Sequence, residues 1–348
     1  MQSNSLVRAA NDVFRMDYLD MAKGFGIILV VLGHHLTVSE AFTVWIYSFH
    51  MPLFFILSGW LYAHKKNALS FGEFVKKKSR SLLYPYVVFS ILILLWKYLL
   101  YFLLGSTPEK GFPEIWIKSV TTYGYHALWF LPTLFFTEII VHRLETSVGV
   151  CAKRVAYLSC ILLGWGASEL LRIGTIQEIA DYAVRYAGRI FVAVVFYKIG
   201  MLMKPHFHGM HRWRNLVFGI AALGVSLLLF PQNGLANLNS LRIGIFPIYM
   251  LLGISGSVAI ILLCQWIGTC PPLSFWGRNS LFVMAVHMDF SIEIAYILIA
   301  QIGLHHPAIH PTVVAVVLEL LLLAFAIPVV NKYFRFLLTP NWRGAKGV

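Results

Sequence analysis

The sequence predicts an all-α, polytopic integral membrane protein, and three observations carry that class. Apolar residues make up 59% of the 348 positions and charged residues only 12%, and the mean hydropathy is +0.74, far from the balance of soluble domains. Runs of roughly 17 to 25 mostly apolar residues recur along the chain, each long enough to cross a hydrocarbon core about 30 Å thick as a helix. Lysine and arginine gather in alternate connections between those runs, the asymmetry that membrane insertion produces.

About ten such runs are expected, near 22–39, 43–63, 81–104, 127–144, 155–171, 186–203, 215–231, 243–267, 280–302 and 311–330. The fifth and sixth have blurred ends, because Arg172, Glu178, Asp181 and Arg185 crowd the segment between them. An even number of spans puts both termini on one side. Arg8, Arg15 and Lys23 precede the first run, and Lys65, Lys66, Lys76, Lys77, Lys78 and Arg80 fill the second connection. Arg143, Lys153 and Arg154 follow in the fourth connection and Lys204, Arg212 and Arg214 in the sixth, whereas the odd connections hold Glu40, Glu109, Glu114, Glu178 and Asp181. Both termini are therefore expected to be cytoplasmic. Residues 1–348 then form a single membrane domain, with a polar cytoplasmic segment over 1–20 and a basic cytoplasmic tail over 333–348.

The same topology accounts for most of the net charge of +13, so nucleic acid is not the expected partner; anionic lipid headgroups are nearer. Four cysteines without a C-x-x-C pair suggest neither a metal site nor a disulfide framework. The first 20 residues are polar, and no cleavable signal pattern follows them. The longest polar connection, 105–126, is punctuated by Gly105, Pro108, Gly111 and Pro113, so chemistry is expected inside the membrane domain. No internal repeat is visible, which weakens a transporter reading without removing it.

Candidate functional residues are the polar groups that these runs carry into the membrane. Asp20 and Lys23 are three apart, suited to an ion pair at the mouth of the first helix. Lys23 and His34 are eleven apart, which places them on one helix face about 16 Å from each other. His34 is thereby set near mid-bilayer, directly above a cation, and both side chains are expected to line one tunnel. His35 is rotated about 100° away. The competing reading makes both histidines hydrogen-bonded core residues. In the second run His50 precedes Pro52, which frees a backbone carbonyl, and Ser58 and Gly59 permit close helix approach. Trp129 fits an interfacial belt, and Glu138 needs a cation, for which Arg189 is a candidate. Arg278 and His287, nine apart, point to opposite faces. Asp289 and Glu293 share one face and are expected to satisfy a polar partner on another helix.

Taken in order, these segments resemble the membrane-bound acyltransferase-3 family. The string D-x-x-K-G-x-G-x-x-L-V-V-L-G-H from Asp20 to His34 is similar to the family's opening signature, an arginine, ten intervening residues and a histidine. F-H-M-P-L-F-F-x-L-S-G from Phe49 to Gly59, L-L-x-P from Leu82 to Pro85, L-W-F-L-P from Leu128 to Pro132 and G-R-N-S-L from Gly277 to Leu281 follow in the family's order. Among its members, the bacterial sugar O-acetyltransferases that resemble fucose 4-O-acetylase are nearest in pattern.

The resemblance implies acetyl transfer from acetyl-CoA, the acyl donor, to a hydroxyl of a cell-envelope carbohydrate, in a bacterial inner membrane and without a metal. It implies that His34 is the essential histidine, a general base or an acyl relay. Lys23 stands where the family has arginine, keeping the charge without the planar fork that grips phosphate in two places. Lys78-x-Arg80 stands for an arginine-x-arginine pair. The expected site is thus His34 as catalytic residue, Lys23, Lys78, Arg80 and Arg278 as donor-binding cations, and Asp20, His50, Trp129, Glu138, Arg189 and His287 in support. The rival class is an exporter of a sugar-containing lipid or polymer, centred on His287, Asp289 and Glu293. A structural or sensory subunit would leave the Lys23–His34 alignment without a purpose.

Overall fold

The computed structural model describes residues 16–35, 39–64, 69–103, 111–174, 178–207, 210–302 and 311–340. Arg8, Arg15, Lys65, Lys66 and Glu109 of the expected charge pattern, and Arg343 and Lys346 of the basic tail, lie outside the described residues.

The chain enters the membrane with α1 (Asp17–Gly33) and α2 (Glu40–His64). A short basic helix, α3 (Phe71–Lys78), runs through a π-helical stretch (Ser79–Leu83) into α4 (Tyr84–Leu103). Ser70 and Glu73 cap the start of α3 reciprocally, side chain to backbone in each direction. A small helix, α5 (Gly111–Val120), and a 3-10 turn (His126–Trp129) lead into α6 (Phe130–Ser147). Then come α7 (Val150–Ile173), α8 (Glu178–Phe207), α9 (Arg212–Asn233) and α10 (Phe246–Ile267). The last part holds α11 (Pro271–Arg278), α12 (Ser280–Val286), a second π-helical stretch (His287–Ser291), α13 (Ile292–Ile302) and α14 (Pro311–Tyr333).

Nine helical segments among the described residues are long and apolar enough to cross a membrane. The remaining run is α1, whose 17 residues rise about 25 Å. The bundle has an inner and an outer set of helices. In the segment His126–Ser147, 72% of the most apolar window is buried inside the protein, against 11% in Val150–Ile173. Leu158, Leu162, Leu163 and Trp165 of α7 accordingly face outward, which in hydrocarbon is the favourable place for them. α2 lies at the centre, packed on α1, α8, α9 and α10.

Two crossings fix this centre through glycine. A Cβ on Gly59 of α2 would strike the backbone carbonyl of Tyr197 on α8, and one on Gly200 of α8 would strike that of Ile56 on α2. The crossing of α1 with α11 repeats the device, with Gly24 against the Leu273 carbonyl and Gly277 against the Asp20 carbonyl. Such close approach gives van der Waals packing where water offers no driving force.

Several boundaries differ from expectation. α1 starts at Asp17 rather than near 22, its first turn carrying Asp17 and Asp20, which the helix dipole favours there. It stops at Gly33, so His34 is not within a span but forms the C-cap (φ −84, ψ −8). α8 begins at Glu178 instead of near 186, because Asp181 and Arg185 pair at 2.7 Å one turn apart on its extra length. The connection 105–126 is partly built as α5. The ninth run, read as one helix, is divided by its π-helical stretch.

Replacing Gly59 by alanine should lower the melting temperature of the detergent-solubilised protein by several degrees, since overpacking a tight contact costs about 1–3 kcal/mol. Gly166→Ala is the control: nothing lies within 4 Å of a Cβ there, and its melting temperature should be unchanged or slightly raised.

Candidate functional site

Two cavities lie inside the bundle and meet at Met284, which lines both. One, of about 320 Å³, is walled by Asp20, Lys23, Ser58, Leu82 and Arg278 together with apolar residues of α2 and α6. The other, of about 250 Å³, is walled by His34, Tyr47, His50, His126, Trp129, Asn237 and Asn239. The single tunnel expected from the Lys23–His34 alignment is therefore divided. Lys23 lines the first chamber and His34 the second.

The cationic chamber owes its shape to the glycine crossing of α1 with α11, which brings Lys23 and Arg278 to one wall. Lys23 Nζ lies 3.5 Å from Asp20 Oδ1, the expected pair. Lys78 is elsewhere: its Nζ donates to Glu138 Oε1 at 2.7 Å. That contact corrects the expected Glu138–Arg189 pairing and leaves Lys78 engaged rather than facing a ligand. Arg80 is exposed on the π-helical stretch, and Leu82 is the residue of that stretch that reaches the chamber. The stretch forms where Pro85, lacking an N–H, interrupts the regular ladder.

Different partners hold the rings of the histidine chamber. His34 Nδ1 is 3.3 Å from the Tyr47 hydroxyl, and its ring centre is 5.0 Å from that of His287. His50 donates from Nδ1 to the Ile46 carbonyl at 2.8 Å. His287, fully buried, donates from Nδ1 to the Val283 and Met284 carbonyls at 3.0 and 3.1 Å. The resemblance had not marked His126, whose Nδ1 donates to Asp289 Oδ1 at 2.7 Å. Lys97 Nζ lies 3.5 Å from the same oxygen and also pairs with Glu293, which accepts from Trp96 Nε1 at 2.8 Å. Asp289 and Glu293 thus share a partner helix, α4, the polar partner expected of them.

Arg189 is fully buried and braces the wall of the histidine chamber. It donates to Asn239 Oδ1 at 2.8 Å and to the Tyr123 carbonyl, and its guanidinium lies 4.4 Å from the Tyr123 ring centre and 5.3 Å from that of Trp129. Trp129 and Asn239 line the chamber, so Arg189 shapes it from behind. On the far side His35 turns away, as its rotation demanded, and donates to Glu319 Oε2 at 2.6 Å; Glu319 Oε1 accepts from Ser291 at 2.9 Å. Glu319 was legible as a lone acid in the apolar run PTVVAVVLELLLLAFAIPVV. His126 offered no such signal, since its partner is 163 residues distant.

A helical membrane bundle holding a histidine-lined chamber against a cation-lined one has the makings of a membrane-embedded transferase. Residues 16–330 match the family model described as an acyltransferase domain, and the chain belongs to this acyltransferase-3 family. It is also similar to the nodulation protein NolL of Mesorhizobium japonicum, 30% identical over 137 residues. That match covers 36% of this chain and 35% of NolL. No solved structure matches.

Lys78→Ala should destabilise the protein by roughly 3 kcal/mol, because it strands the carboxylate of Glu138 in the interior. The double variant Lys78→Met with Glu138→Leu should recover most of the loss, read as melting temperature in one detergent.

Proposed function

We propose that this acyltransferase moves an acetyl group from acetyl-CoA to a hydroxyl of a cell-envelope carbohydrate, on a polysaccharide, an oligosaccharide or a lipid-linked sugar. The observation that carries the reading is the junction at Met284, where a chamber with Lys23 and Arg278 meets one with His34. Cations at one end suit the phosphates of a nucleotide-bearing thioester. A long flexible arm then lets the acyl carbon reach an imidazole beyond the junction. Met284 is unbranched and readily changes rotamer, so it yields to such an arm.

At His34 two chemistries fit. Its ring takes the hydroxyl proton as the oxygen attacks the thioester, or it first accepts the acyl group itself. The positive-inside pattern supports a reading in which both termini and the cationic chamber face the cytoplasm of a bacterial inner membrane, where acetyl-CoA is made. Lys76 and Lys77, exposed on α3, suit anionic lipid headgroups. The exporter reading has less support, because the residues of its centre are engaged: His287 by the Val283 and Met284 carbonyls, and Asp289 and Glu293 by His126, Lys97 and Trp96.

His34→Ala should abolish acetyl transfer from labelled acetyl-CoA to membrane glycans at unchanged expression; near-normal transfer would remove His34 from the site. Lys23→Ala and Arg278→Ala should each weaken acetyl-CoA binding by about tenfold, the worth of one charge-assisted contact. Equilibrium binding on purified protein reads this directly, and unchanged affinity in both variants would overturn the donor chamber.

A further inference from the structure

Three histidines line one chamber, and they differ in what holds each ring. His50 is buried and tied to a neutral backbone carbonyl, and His34 meets a tyrosine hydroxyl. His126 alone among these three is held by a carboxylate. A carboxylate oxygen accepts, so in the neutral ring Nδ1–H is the donor to Asp289 and Nε2 carries the lone pair. A carboxylate behind an imidazole fixes the tautomer and stabilises the imidazolium that forms when the other nitrogen takes a proton. Asp289 is itself 2% exposed and steadied by Lys97, so the orientation is rigid.

Access sets His50 apart as well. The His126 side chain is 36% exposed, enough to meet a group arriving from outside, and His34 is half-buried, whereas His50 is enclosed. The backbone is also committed to presenting it. Thr122 and His126 both adopt positive φ, +57 and +41, around Gly124 at +86. A Cβ on Gly124 would strike the backbone of Trp129. Each such non-glycine residue costs about 1–3 kcal/mol and persists only where its surroundings impose it. Here the Gly124 N–H donates to the Lys118 carbonyl at 2.9 Å, and the Tyr86 hydroxyl donates to the Ser119 carbonyl at 2.7 Å, pinning the turn to α4.

We infer that His126, oriented by Asp289, is the base that deprotonates the acceptor hydroxyl, leaving His34 to the acyl-donor side of the same chamber. This rests on the acyl-transfer reading and divides its chemistry between two histidines. The acceptor oxygen attacks the acyl carbonyl carbon while its proton passes to Nε2 of His126, and the C–O ester bond forms. The bond from that carbon to its carrier, the thioester sulfur or a ring nitrogen of acylated His34, breaks with its electron pair. That carrier atom then receives the proton held on His126. Asp289 is a positioning residue throughout.

The experiment uses the full chain in membranes that carry its natural acceptor, with radiolabelled acetyl-CoA and two competing nucleophiles. One is the membrane glycan, whose hydroxyl needs a base; the other is hydroxylamine, whose neutral nitrogen attacks without one, its hydroxamate being counted above that formed from free thioester in membranes lacking the protein. His126→Gln should lower glycan ester formation by about 100-fold or more, the usual worth of general-base catalysis, while hydroxamate formation falls far less. Asp289→Asn should lower ester formation in the same selective way, and added imidazole should partly restore it in His126→Ala. Ester formation within threefold of wild type in His126→Gln overturns the assignment. Equal loss of both products overturns it too, since a mere clasp between the turn and Asp289 would behave so. A wild-type protein that forms neither product above the protein-free background overturns the acyl-transfer reading itself, and this inference with it.

Discussion

Hydrocarbon gives a buried charge no partner, so each charge this bundle carries inward must be met by another part of the protein. That requirement determines which helices become neighbours. Glu138 on α6 is met by Lys78 of α3, and Glu319 on α14 by His35 and Ser291. Asp289 joins the turn before α6 to α4 through His126 and Lys97, and Arg189 joins α8 to the 3-10 turn and to the loop around Asn239. Each contact joins separate elements, and those of His126 and Arg189 border the histidine chamber. The glycine crossings of α1 with α11 and of α2 with α8 supply the close packing at the centre of the bundle.

Much of this was open to a reader of the chain alone, because hydrophobic length and helical spacing act over single segments. The ten runs each correspond to a helical segment, and the Asp20–Lys23 pair and the turned-away His35 follow from helical spacing. Gly59 was readable as a site of close approach, though not the partner it approaches. What escaped was everything decided by a distant segment. Lys78 is 60 residues from Glu138 and His126 is 163 from Asp289, and no local pattern announces either pair. The resemblance marked His34, Lys23 and the cationic strings but passed over His126, which the string HALWFLP presents as an ordinary residue before a helix.

Departures from ideal helix account for the remaining differences. An eleven-residue interval keeps Lys23 and His34 on one face, yet a face is not a passage. Met284 stands between the chambers, and α12 delivers it there because the chain bends at Asn279 and again at His287, where the helix widens into a π turn. Such widenings recur at functional sites because they redirect a side chain by a fraction of a turn. Here His287 comes to rest 5.0 Å from His34, and Asp289 comes within 2.7 Å of His126.

The methionine junction also bears on electrical insulation. An open, water-filled bore through a membrane protein would conduct protons and dissipate the gradient across the bilayer. Two pockets parted by a thioether avoid that leak, since a flexible apolar gate can admit an uncharged acyl arm yet offers a hydrated ion no oxygen to replace its shell. Under the proposed acyl transfer, passage of the group and tightness of the barrier are thus compatible in one fold, at the level of a single side chain.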